Sequence, residues 1–139
     1  MDAPTDVGKS GTAAPARDTI RLTIPARLPF VRLPRVAIAG LATRSGFSYD
    51  EVEDLRLAVG EVCQVLLDGV DRAGHLIIEF TVARGSMRVE VAIDGPAGPP
   101  SGIDERLAEQ ILAATVGTVE VADDGRRVAF AMTAADDDD

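Results

Sequence analysis

Apolar positions along this chain change their period, and each change marks an element. Residues Thr19 to Ile24 alternate, with Ile20, Leu22 and Ile24 on one side, which predicts a first strand with one buried face. The stretch from Arg27 to Pro34 predicts a turn leading into a helix, since proline is tolerated in a first turn. That helix runs through Val36, Ile38, Ala39 and Leu41 to about Arg44, before Gly46. Val52, Leu55, Val59, Val62, Leu66 and Val70 then recur at steps of three and four, the period of a helix burying one stripe. Ser48, with Glu51 three residues on, can satisfy exposed amide donors reciprocally, so this helix is predicted from about Tyr49 to about Asp68, with Gly69 as its stop.

His75 to Ala83 and Met87 to Ile93 read as strands joined by Arg84-Gly85-Ser86, a hairpin. Asp94 to Gly102 is a loop dense in glycine and proline. Asp104 to Ala114 returns to helical spacing through Leu107, Ile111 and Leu112. Thr118 to Val121 and Arg127 to Met132 flank Asp123-Asp124-Gly125, a second hairpin signal. The order strand, helix, helix, hairpin, helix, hairpin predicts an α+β two-layer sandwich: one mostly antiparallel sheet with helices collected on one face.

A length of 139 residues suits one domain, placed here at residues 18–133. Residues 1–17 bury too little apolar surface to offset ordering and are expected to be a flexible leader, while residues 134–139, ending in four aspartates, are expected to be a solvated acidic tail. A net charge of −9 argues against a nucleic-acid partner, which asks for a basic footprint. No apolar run is long enough to span a bilayer and no secretion signal is present, so the chain is read as cytoplasmic, without a membrane partner. Arg27, Arg32 and Arg35 cluster around the first helix of an otherwise acidic protein, either solvating its start or meeting an acidic partner. Cys63 has no disulfide partner and reads as a small hydrophobe, and His75 as a turn residue ahead of a strand.

Glu61 is the charge on a second face of the long helix, among Ala58, Val62 and Val65. Spacing alone leaves it either a solvated surface glutamate or a carboxylate facing a cleft. The run from Asp54 to Leu67, DLRLAVGEVCQVLL, resembles the N-box helix of the GHKL ATPase superfamily, and more closely the actinobacterial anti-sigma factors of the serine-kinase type, the RsbW and UsfX relatives. The resemblance covers residues 18–133 and implies the Bergerat-like sandwich of that group. It implies that Glu61 orients the attacking group, and that an asparagine one turn later holds magnesium. Val65 stands at that second position, and valine offers no oxygen to a hard cation, so no metal ligand is assigned. An Asp-x-Gly-x-Gly adenine loop maps onto Asp94, Gly95 and Gly98, with Pro96 replacing the middle glycine. The glycine-rich lid that grips phosphates maps onto Asp104 to Gln110, which lacks the paired glycines and carries three carboxylates.

The resemblance therefore implies a regulator that binds and sequesters an alternative sigma factor and is countered by an anti-anti-sigma partner. ATP or ADP is the implied cofactor, magnesium is doubtful, and ATP hydrolysis or kinase activity is expected to be weak or absent. The alternative is an active ATP-dependent serine protein kinase acting on the anti-anti-sigma factor, with Glu61 as general base and Asp94 on adenine. A homodimer is implied by the family alone.

Overall fold

Strands β1 (Asp18–Pro25), β2 (His75–Ala83), β3 (Ser86–Asp94), β4 (Val119–Ala122) and β5 (Arg127–Thr133) form one antiparallel sheet in the order β1-β2-β3-β5-β4. The computed structural model describes residues 17–96, 100, 107–111 and 118–135. Period-2 patterning sets the register. Ile78 lies opposite Val91 and Phe80 opposite Val89, and Val89 in turn opposes Phe130. These side chains are buried with Ile24, Leu76 and Met132, so the sheet presents one continuous apolar face. A slip of one residue would turn all of them to solvent.

The other face is polar. Arg127 reaches Glu90 at 2.6 Å and Asp123 at 2.8 Å, and Arg88 reaches Glu90 at 3.1 Å and Glu120 at 3.4 Å. Glu90 is held below the usual carboxylate range, chiefly by its hydrogen bond from Arg127. Solvent-facing pairs of this kind contribute at most about 1 kcal/mol each, so the apolar face holds the fold.

A 3-10 turn (Leu28–Val31) leads into α1 (Arg32–Arg44), with Pro34 buried in its first turn, and α1 packs along α2 (Tyr49–Leu67) over the apolar face of the sheet. The reciprocal cap forms as expected: Ser48 Oγ accepts from Glu51 N–H at 3.1 Å, and Glu51 Oε1 accepts from Ser48 N–H at 2.8 Å. Asp68, left-handed at φ 58°, ends the helix. Val52, Leu55, Val59, Val62 and Leu66 are buried, each of the largest contributing about 1.5–3 kcal/mol. Val70 does not continue the stripe. It lies beyond the left-handed cap, 58 % exposed, because the chain has already left the helical path.

Several strand ends differ from the sequence reading by one residue. Ser86 pairs with Ala83 inside the ladder, so the hairpin turn is Arg84-Gly85, and β4 begins at Val119 rather than Thr118. Residues 107–111 are helical, with Leu107 and Ile111 buried; the rest of that expected helix, the leader up to residue 16 and the acidic tail Asp136–Asp139 lie outside the described residues. At one end of the sandwich Gly85 N–H donates to Ser45 O, Ala134 N–H to Gly85 O, and Ala135 N–H to Glu51 Oε2 at 2.8 Å. This ties the end of β5 to the start of α2.

Candidate functional site

The C-terminal half of α2 forms one wall of an open cleft of about 210 Å³, lined by Glu61, Gln64, Val65, Asp68 and Gly69, with Gln110 opposite. Positions 61, 64, 65 and 68 share a wall because residues three, four and seven apart on a helix share a face. Glu61 is half-buried, and Val65, one turn on, is only 6 % exposed. Gln110 Oε1 is buried without a hydrogen-bond partner among the described residues.

Among the described residues this lining is acceptor-rich and carries no lysine or arginine. The carboxylate of Glu61 would repel a polyphosphate rather than neutralise it. A magnesium ion asks for oxygen ligands in near-octahedral geometry, and Val65 places methyl groups where the resemblance implies an amide oxygen. Among the described residues no group of three or more His, Cys, Asp or Glu is spaced to hold a metal. The described residues at this cleft do not fit a magnesium-bridged polyphosphate.

Asp94 and Gly95 do not line the cleft. Asp94 closes β3, where its Oδ1 accepts from the backbone N–H of His75 at 2.7 Å, with His75 Nδ1 3.8 Å away. Asp94 is thus a cap across the hairpin. Gly95, at φ 132°, lies so close to the preceding loop that a Cβ would meet Ala73 O at 2.4 Å, and Arg126 Nη2 donates to Gly95 O at 3.1 Å. Gly98 lies outside the described residues.

The arginine cluster divides. Arg27 Nε lies 3.9 Å from Asp71 Oδ2, and Asp71 Oδ1 accepts from Leu28 N–H at 2.8 Å, so Arg27 faces the loop after α2. Arg32 is exposed. Arg35 crosses α2 at Gly60, where a Cβ would stand 3.2 Å from Arg35 Cδ, and its Nε is buried without a partner among the described residues. Gly60 carried a signal for this, since a glycine inside a helix costs about 0.5–1 kcal/mol and marks a close approach. Asp71 and Gln110 carried none, because distant parts of the chain bring them to Arg27 and to the Glu61 cleft. Cys63 is fully buried, which pushes its thiol up to about 12, away from nucleophilic chemistry.

An antiparallel sheet backed by a helix that carries Glu61 at a cleft is an α+β sandwich. The chain is similar to proteins named serine-protein kinase RsbW: 34% identical over 91 residues to that of Halalkalibacterium halodurans, covering 65% of this chain and 56% of that protein. It is 36% identical over 81 residues to that of Bacillus subtilis, covering 56% of this chain and 51% of that protein. Against that of Bacillus cereus it is 31% identical over 80 residues, 56% of this chain and 50% of that protein. The chain spans about half the length of the curated relatives it matches. No family model matches it. In structure it resembles the RsbU and RsbW domains of a Mycobacterium tuberculosis protein, with a TM-score of 0.58 at 17% identity over 84% of this chain and 32% of that one. The RsbW-type resemblance first read from α2 therefore extends to sequence similarity over 80 to 91 residues and to the fold.

Proposed function

We propose that this chain is an RsbW-like regulator whose folded unit, residues 18–133, binds and holds an alternative sigma factor, is countered by an anti-anti-sigma partner, and moves phosphate weakly or not at all. The observation that carries this reading is the buried aliphatic Val65 one turn from Glu61 in the described lining of the cleft. Phosphoryl transfer rests almost wholly on positioning and charge neutralisation. Occlusion of a protein surface needs neither. Asp94, Gly95 and Gly98 remain the residues proposed to meet an adenine, and Arg27, Arg32 and Arg35 those proposed to meet a protein partner. A cytoplasmic site of action accords with the described helices, none of which is long and apolar enough to cross a membrane.

The second reading, a serine kinase acting on the anti-anti-sigma protein, is favoured by Glu61 at the N-box position and by the printed names of the relatives. One experiment separates the two. The protein is mixed with each alternative sigma factor and each anti-anti-sigma protein of its own genome, complexes are resolved by gel filtration, and labelled ATP with magnesium is added in parallel. The expected result is a stable sigma complex and no labelled protein. Label on the anti-anti-sigma protein that disappears with Glu61→Gln would establish the kinase instead.

A further inference from the structure

Where the chain turns from α1 into α2, the two helix ends and their short connection enclose an apolar pocket of about 370 Å³. Helical spacing gathers its walls. Ala39 and Thr43 lie one turn apart on α1, and Tyr49, Val52, Glu53 and Arg56 share one face of α2. Phe47, from the connection, forms the floor with Val52, and the two are only 7 % and 8 % exposed. Backbone bonds hold that floor: Phe47 N–H donates to Ala42 O at 3.3 Å, and Val52 N–H to Ser48 O at 2.8 Å. The pocket is a corner of a helical hairpin, which suits a compact molecule. Its volume falls within the range of about 300–1,000 Å³ usual for small-molecule sites.

The polar groups at its mouth select the ligand. Thr43 Oγ1 donates to Ala39 O at 2.8 Å, so its hydrogen is already spent. Arg56 Nη1 contacts both oxygens of Glu53 at 3.1 Å, which leaves the Nε–Nη2 edge of the guanidinium without a partner among the described residues. That edge carries two parallel N–H donors, the arrangement that the two oxygens of a carboxylate match. Phe47 on the floor and Tyr49 on the rim, the latter 77 % exposed, supply ring faces for an aromatic body.

We infer that this pocket binds a small aromatic carboxylate, its ring against Ala39, Phe47 and Val52 and its carboxylate on Arg56. The site shares no lining residue with the Glu61 cleft and does not depend on the sigma-binding reading. A ligand seated here touches both helices, and by occupying only the folded chain it stabilises that chain by mass action.

The test uses the full chain and three probes: naphthoate, the cationic naphthylmethylammonium of the same ring, and octanoate as an aliphatic acid. Amide-resolved NMR titration is expected to show naphthoate shifting Phe47, Tyr49 and Val52 in a saturable way, and thermal unfolding in its presence is expected to move upward. Arg56→Met should weaken naphthoate about tenfold, as loss of a charge-assisted pair does. Thr43→Trp, at an exposed helical position on the wall, fills the space and should abolish binding, with circular dichroism checking that both variants fold. Absence of saturable shifts at millimolar naphthoate would overturn the inference, as would naphthoate binding untouched by Thr43→Trp. Equal binding of the ammonium or of octanoate would overturn the assignment of ligand class. A concentration-dependent dimer in sedimentation that Thr43→Trp dissolves would give the pocket to a second copy and overturn it as well.

Discussion

Gly74 and Gly95 cross backbone to backbone. A Cβ on Gly74 would stand 2.1 Å from Asp94 O, and one on Gly95 would stand 2.4 Å from Ala73 O. This crossing fixes the loop after α2 against the end of β3 and so sets where Asp94 is presented. Gly74→Ala, at φ 99°, must both move backbone and adopt a left-handed conformation. A loss of about 2–4 kcal/mol in urea unfolding is expected. Gly40→Ala is the control: it is helical with nothing within 4 Å of the new Cβ, and should stabilise by up to about 1 kcal/mol.

Glu51 links the start of α2 to the end of β5 and should make stability depend on pH. Its carboxyl is held below its ordinary value, first by the backbone N–H of Ser48 and then by that of Ala135. Because the folded value is the lower one, the stabilisation is complete above the unfolded value of about 4.3 and is lost as pH falls through the folded value. Unfolding free energy measured from pH 6 down to pH 3 should therefore fall more steeply for the native chain than for Glu51→Gln. Parallel curves would show that the two hydrogen bonds do not distinguish the charged carboxylate.

Cys63 should be silent in the folded protein. Its thiol is fully buried and pushed up to about 12, so a disulfide-exchange reagent at pH 8 should label it only after denaturant is added. Rapid labelling of the native chain would mean that α2 opens locally far more often than its packing implies.

The elements built on local rules were legible in the sequence. Ser48 and Glu51 announced the start of α2, alternation in His75 to Ala83 announced β2, and Asp123-Asp124-Gly125 announced the last hairpin. The stripe was over-extended to Val70 because periodicity does not register a left-handed residue such as Asp68. Of the site, the shared helix face of Glu61 and Val65 followed from spacing, whereas the cleft in front of them and Gln110 in its lining did not. Arg27, Arg32 and Arg35 are neighbours along the chain, yet Asp71 claims the first and Gly60 receives the third. Gly60 signals a close approach but not its partner, and the Arg27–Asp71 pairing leaves no local signature.

The central claim is that the side chain at position 65 denies this cleft a metal-bridged nucleotide. Titration calorimetry with ATP, with and without magnesium, on the native chain and on Val65→Asn tests it directly. Magnesium is expected to leave the native chain's affinity unchanged and to strengthen binding to Val65→Asn. Tight ATP binding by the native chain that vanishes when magnesium is chelated would contradict it.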